Sequence, residues 1–455
     1  MTQAKNSWSD TAESTDEVPL ALLDRHLLVC QDVLGSPAVA CGLKLFQNDF
    51  PFSATALTFT YLELWRLLSS EATSRGFQAP GDAWQQHLAT RLLASEGTFA
   101  RAARHQSPQA MSPTLLHAAR HDLSLLSHLY HLGAEGLRRQ CPHPDLMPDL
   151  PGDFAGDAPR AKDYALRQLL HQTPNWSTVL SSLIDHYRSI GTGILAHGIV
   201  FRWLGAEHTP PFKLIERYDP IRLADLIGDT QQRQMIIRNT LQFLAGLPAN
   251  NVLLYGDRGT GKSSTIKALI NEYADRGLRL IEVPRNQLKD FPQIVEILQD
   301  QPAKFILFVD DLSFEEAETS YKDLKAVLEG GVEVRPGNVV VYATSNRRHL
   351  IREYHSDRPQ PGEGEVHAFD TFQEQLSLAD RFGLTVTFLT PDQEQYLAIV
   401  RHMADQRQLP ISPEELRIRA LQWSAWHNGR SGRSARQFID DLTGELVIGA
   451  ISHHV

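Results

Sequence analysis

Eight consecutive residues, Gly256-Asp257-Arg258-Gly259-Thr260-Gly261-Lys262-Ser263, fit the spacing G-x-x-x-x-G-K-[ST] in full. Glycine costs backbone entropy, so three in so short a loop call for a physical reason. Phosphate binding supplies one. The glycines let successive backbone N–H groups converge on the β- and γ-phosphates, and the N-terminus of a following helix adds partial positive charge. Lys262 would reach the phosphates as a point charge and Ser263 would place its hydroxyl on Mg²⁺, with Ser264 beside them in the nucleotide set.

Such a loop needs an acidic partner, and KFILFVDDLSFEEAE provides it. The apolar run Phe305 to Val309 ends in Asp310-Asp311, two carboxylates at a strand's carboxyl end, where ligands bind in open α/β sheets. Asp310 would hold Mg²⁺, directly or through water, while Asp311, or less readily Glu315, would orient the attacking water. The competing reading is a pair that merely caps the next helix. A third apolar strand, NVVVYATSN, ends in Thr344-Ser345-Asn346. The Asn346 amide would hydrogen-bond the water or the γ-phosphate; by spacing alone it is equally a turn residue.

These residues require a scaffold that brings strand ends together. From Thr209 the chain alternates strand and helix signals, the mark of a parallel sheet covered by helices. Five strands are expected, Val252–Tyr255, Arg279–Val283, Phe305–Asp310, Val339–Thr344 and Leu384–Phe388, all parallel. The helix STIKALINEYADR follows the phosphate loop. The expected organisation is α/β: a core over 209–390 with a small helical lid over 391–455. Before it come a disordered tip over 1–19 and a mainly helical domain over 20–208, with the Pro/Gly/Asp-rich stretch 141–160 as an exposed connector.

Composition bounds the partners. A net charge of -10 argues against a chain-wide attraction to nucleic acid, leaving only local basic patches. The polar, acidic N-terminus has no apolar core for a signal peptide, and no apolar run is long enough to span a bilayer. Cys30, Cys41 and Cys141 stand in no metal-ligand spacing and are too few for a disulfide framework, which fits a cytoplasmic protein. His117, His121 and His128 share a helical face and His131 follows, but no carboxylate or cysteine completes a ligand set, so coincidence is the better reading.

From about Asp219 onward the chain resembles the AAA+ branch of P-loop ATPases. Within it, the chain resembles the bacterial ATP-binding family known as domain of unknown function 815. The segments that carry the likeness are LADLIGDTQQRQMIIRNTLQFLAGLPANNVLLYGDRGTGKSS, KFILFVDDLSFE, LKAVLEGG, YATSNRRHLI, LSLADRFGL and SGRSARQFIDDL. The resemblance implies an ATPase with ATP and Mg²⁺ as cofactors. It places Leu226, Ile227 and Gly228 against the adenine and makes Asn346 the polar sensor. It makes Arg381 a finger reaching a neighbouring subunit's γ-phosphate, and Arg436, with Arg433 as the fallback, the lid's phosphate-sensing arginine. A finger in trans implies a homo-oligomer, with a hexameric ring as the closed form.

Two departures bear on activity. Active AAA+ members commonly carry Asp-Glu where this chain has Asp310-Asp311, so the second carboxylate is one methylene shorter and hydrolysis is expected to be slow or to need Glu315. The segment PRNQLKDFPQIVEIL lacks the aromatic-apolar-glycine triplet of protein-threading machines, which argues against an unfoldase. Two other classes stay open for the unknown protein or nucleic-acid client: a nucleotide-dependent switch with little turnover, and a nucleic-acid remodelling accessory resembling helicase loaders. The basic run Arg347-Arg348-His349 allows the second. The acidic, Pro/Gly-rich HSDRPQPGEGEVHAFDTFQEQ is expected to be an inserted loop.

Overall fold

A computed structural model of the chain describes residues 23–46, 54–75, 80–151, 161–312, 336–346, 381–427 and 429–452. It divides into two compact units, Met1–Gly193 and Ile194–Val455.

The first unit is helical. Its elements are α1 (Leu23–His26), α2 (Pro37–Lys44), α3 (Ala54–Arg75), α4 (Ala83–Leu93) and α5 (Thr98–His105). They continue as α6 (Pro113–His131), α7 (Gly133–Arg138), α8 (Ala161–Gln172) and α9 (Leu180–Ile190). Sequence signals start several of them: Ser36 caps α2 ahead of Pro37, and Asp82 with Gln85 forms a capping box on α4. Their apolar faces meet around Trp84, Leu88, Leu123, Leu126, Leu129 and Tyr187. At the centre lies Asp122, fully buried, whose carboxylate accepts the backbone N–H groups of Leu28, Val29 and Cys30 at 2.7–3.0 Å. Three amides around one carboxylate offset its desolvation. Asp122→Ala strands those donors and is expected to cost about 3 kcal/mol, read as a fall in the urea midpoint of unfolding.

The stretch expected to be an exposed connector is, as far as Pro151, part of this unit. Tyr61 donates to the Pro148 carbonyl at 2.8 Å, Trp65 Nε1 to Asp149 O at 2.9 Å and the Ala83 amide to Pro151 O at 3.1 Å, and Leu150 is buried. A proline-rich run has free carbonyls to offer, and aromatic donors on α3 take them. Residues 152–160 lie outside the described ones. The histidines of α6 are exposed; two of them make polar contacts, His131 Nε2 at 2.9 Å from Thr173 O and His121 Nδ1 at 3.2 Å from Asp122 Oδ1. Among the described residues no three His, Cys, Asp or Glu side chains gather as a metal ion would need.

The second unit holds α10 (Ile194–His197) and a mixed sheet of seven strands, against the five expected. They are β1 (Val200–Trp203), β2 (Phe212–Leu214), β3 (Val252–Gly256), β4 (Leu278–Glu282), β5 (Lys304–Val309), β6 (Val339–Ser345) and β7 (Leu384–Phe388). The order is β2-β1-β4-β5-β6-β3-β7, parallel throughout except for the β1–β2 pair. All five expected strands are present and parallel. The two extra strands extend one edge, and β1 lies in a segment expected to belong to the helical domain. Four residues and three are too few to display a period of two, which is why neither strand stood out.

Helices α11 (Thr230–Leu244), α12 (Lys262–Tyr273) and α13 (Phe291–Gln299) cover the sheet. The central strands read as unbroken apolar runs because both faces are buried. Leu253, Phe305, Leu307 and Val341 point to the α13 side, with Phe291, Ile294 and Leu298. Their neighbours Leu254, Ile306, Phe308 and Val340 point to the other, with Ile236, Phe243, Ile266 and Leu269. The lid follows as α14 (Gln393–Gln406), α15 (Pro413–Trp426) and α16 (Gly432–Ser452), packed around Tyr396, Val400, Leu416, Ala420, Phe438 and Leu442. No helix among the described residues is long and apolar enough to cross a membrane.

Candidate nucleotide site

A cleft of about 920 Å³ opens between the carboxyl ends of the strands and the lid. That volume suits a nucleotide-sized ligand. Its floor is the phosphate loop. Gly256 ends β3 at φ 145°, where a Cβ would stand 2.0 Å from the Phe388 carbonyl oxygen of β7, so only glycine fits. Gly261 caps α12 at φ 93° with open space where a Cβ would be, and the helix N-terminus faces the cleft.

Lys262 is the first residue of α12 and is 6% exposed. Its ammonium donates to the carbonyls of Gly256 and Asp257, both at 2.7 Å, and to Asn346 Oδ1 at 3.1 Å. Burial pushes its pKa down; Asp257, Asp310 and Asp311 pull it back up, and the Arg433 charge adds to the depression. Ser263 Oγ donates to Asp310 Oδ1 at 2.7 Å, so the hydroxyl and the carboxylate read as a metal-binding pair are already neighbours. Hard oxygen donors of this kind suit Mg²⁺.

The acids sit where β5 ends. Thr344, on β6, donates to Asp310 Oδ1 at 2.6 Å and accepts the Asp311 amide at 2.9 Å. Asp311 takes a left-handed backbone, φ 53°. Asn346 Nδ2 donates to Asp311 Oδ1 at 2.5 Å while its oxygen faces Lys262, so the amide bridges the lysine and the second acid.

Opposite the loop, Leu226, Ile227 and Gly228 line the cleft with Ile399 and Met403 of the lid. Ile227 packs on the lid's own core. Arg258, Gly259, Thr260, Gly261, Ser263, Ser264 and Arg436 also line it. Gly256 and Asp257 do not, and the Asp257 carboxylate accepts the Thr390 hydroxyl. Arg381 stands apart. It lies three residues before β7, at the end remote from the loop, since Leu384 pairs with Val252 and Phe388 with Gly256. It does not line the cleft of its own chain. Glu315 and Arg347-Arg348-His349 lie outside the described residues.

Several lining residues had no signal in the spacing. Asp219 is 3.9 Å from both Lys267 Nζ and Arg436 Nη1, and Gln406 Nε2 of the lid donates to Asp225 at 2.6 Å. The Gly432 amide donates to Gly259 O at 2.9 Å, tying α16 to the loop. Arg433, next along α16, has its Cβ 3.3 Å from where a Cβ on Gly259 would be. Such contacts join residues far apart in the chain, and neither motif nor periodicity records them.

No curated protein matches this chain. Among solved structures, the Thermotoga maritima RuvB Holliday junction branch migration motor is similar over 51% of this chain and 67% of its own, at 15% identity and a TM-score of 0.35. The FIGL-1 AAA domain in complex with ADP is similar over 48% of this chain and 70% of its own, at 18% identity and a TM-score of 0.34. The family described as Protein of unknown function (DUF815) matches residues 196–446, more than half of the chain and nearly all of the second unit. With its glycine-rich loop, acid-tipped strand, parallel sheet and C-terminal helices, the chain belongs to the family described as Protein of unknown function (DUF815).

Proposed function

We propose that the chain binds ATP with Mg²⁺ and hydrolyses it to drive a conformational change in an oligomer acting on a protein or nucleic-acid client. One observation carries this reading. Lys262, the Ser263–Asp310 pair and the Asp311–Asn346 pair converge at the carboxyl ends of β3, β5 and β6. Lys262 and the α12 N-terminus hold the β- and γ-phosphates. Ser263 and Asp310 would hold Mg²⁺, which when bound neutralises phosphate charge. Asp311, steadied by Asn346, orients a water against the γ-phosphorus and draws on its proton. The new P–O bond forms as the bond to the bridging oxygen breaks, and ADP leaves with the electron pair.

The adenine lies between Ile227–Gly228 and the lid's Ile399 and Met403. Of the two lid arginines, Arg433 serves the phosphates, because its Cβ lies against Gly259 and its charge is felt at Lys262. Arg436 instead faces Asp219. Arg433→Ala is expected to raise the Kd for ATP about tenfold and Arg436→Ala less than about threefold, by calorimetry. Equal losses would reverse the assignment. Arg381, remote from its own cleft, completes a neighbour's site, so the active unit is an oligomer.

A second reading, a switch that binds ATP and scarcely turns it over, draws on Asp311, whose short carboxylate is engaged by Asn346. Steady-state turnover against protein concentration separates the two. Turnover per subunit that rises with concentration supports the motor. Tight binding with negligible turnover, also in single-turnover measurements, leaves the switch.

A further inference from the structure

Asp310 and Asp311 are neighbours in sequence but have different tasks, and something must hold both. We propose that Thr344 is the positioning residue of the site: its one hydroxyl fixes the carboxylate that would hold Mg²⁺ and the backbone that presents the second acid. The inference rests on the ATPase reading above.

The parallel register of β5 and β6 pairs Val309 with Ala343 and so brings Thr344 beside the end of β5. Its side chain is 2% exposed, in a strand buried along its whole length, so it has little freedom. The hydroxyl proton goes to Asp310 Oδ1 at 2.6 Å, and an oxygen lone pair takes the Asp311 N–H at 2.9 Å. The Thr344 carbonyl then accepts the next amide, that of Leu312, at 2.7 Å. Two successive amides after β5 are therefore bound to one residue, one to its side chain and one to its backbone. Between them Asp311 adopts φ 53°, a conformation that an L-residue rarely takes unless its surroundings impose it.

At the other acid, Ser263 Oγ donates to the same Asp310 oxygen at 2.7 Å. The carboxylate is thus held between a hydroxyl of the phosphate-loop helix and a hydroxyl of β6. Groups that orient a metal ligand from behind typically matter about 10- to 100-fold in metal affinity or activity. Valine copies threonine's shape without the hydroxyl, whereas serine keeps the hydroxyl without the methyl, which makes the two substitutions a discriminating pair.

The test uses the full chain and a fluorescent ADP analogue, titrated in EDTA and then with increasing Mg²⁺, beside steady-state ATP turnover. Thr344→Val is expected to bind the analogue in EDTA within about twofold of wild type, yet to need about tenfold more Mg²⁺ for the metal-dependent change. Its kcat falls about 30-fold with KM within about threefold, and Thr344→Ser restores both readouts to within about threefold of wild type. If Thr344→Val loses EDTA binding, and with it the fold of the site, the smaller Thr344→Ala is read against the same expectations. A Val or Ala variant that binds in EDTA and titrates Mg²⁺ like wild type overturns the inference while leaving the ATPase reading intact. A Thr344→Ser variant as impaired as Thr344→Val also overturns it, because packing rather than the hydroxyl would then be what matters. A wild-type chain that binds no nucleotide overturns both.

Discussion

Arg381→Ala is expected to lower ATP turnover about a thousandfold while changing the Kd for ATP less than about threefold. A guanidinium matters most where negative charge grows in the transition state, and that charge develops at the γ-phosphate. Arg381 is a strand's length from its own phosphate loop, at the wrong end of β7, so in its own chain it has no route to that charge. On the proposed reading the loss is expected in the neighbour's cleft and is expected to be repairable by mixing. Arg381→Ala subunits keep a complete cleft, and Lys262→Ala subunits keep a complete finger. Each variant alone is expected to be inactive, and their equimolar mixture to recover a measurable share of wild-type turnover. If the mixture stays as inactive as its parts while both variants assemble, Arg381 does not act across subunits.

Lys262→Ala is expected to weaken ATP binding at least about 100-fold, by calorimetry or analogue displacement. The ammonium is nearly enclosed and spans Gly256 O, Asp257 O and Asn346 Oδ1, so it neutralises the floor of the loop and ties it to the polar end of β6. Removing it takes away the phosphate's main counter-charge and leaves three acceptors without their donor. A moderate fall in the melting midpoint accompanies the loss of affinity. Lys262→Met separates the two effects: it keeps the side-chain volume, so its affinity stays low while more of its stability survives. Retained ATP affinity in both variants would place the phosphates elsewhere.

Much of the fold and site was legible because the site is built from local patterns. The phosphate loop is eight consecutive residues, and the strands carrying the acids and Asn346 are long, buried and uniformly apolar, so their ends are easy to place. The five central strands follow from the same signal. Short edge strands do not: β1 and β2 are held by partners across the sheet rather than by any period of their own. The stretch up to Pro151 reads as linker by composition, yet Tyr61 and Trp65 capture its carbonyls. Arg433 and Arg436 lie three residues apart on one helix and cannot be ranked by spacing; the ranking proposed above rests on Gly259 and Asp219, contributed by distant segments. Thr344 was visible as the end of a strand, but its double contact depends on the register between β5 and β6, which no single segment encodes.

The backbone at Asp311 also limits how the site can change. A left-handed position accepts glycine, asparagine and aspartate with little penalty and most other side chains at a cost of roughly 1–2 kcal/mol. Replacing Asp311 with glutamate is therefore not a neutral exchange. A glutamate here would carry that penalty and push its longer carboxylate past the Asn346 amide that now receives it. Aspartate and loop shape constrain each other, so a faster variant must change the turn after β5 together with the acid.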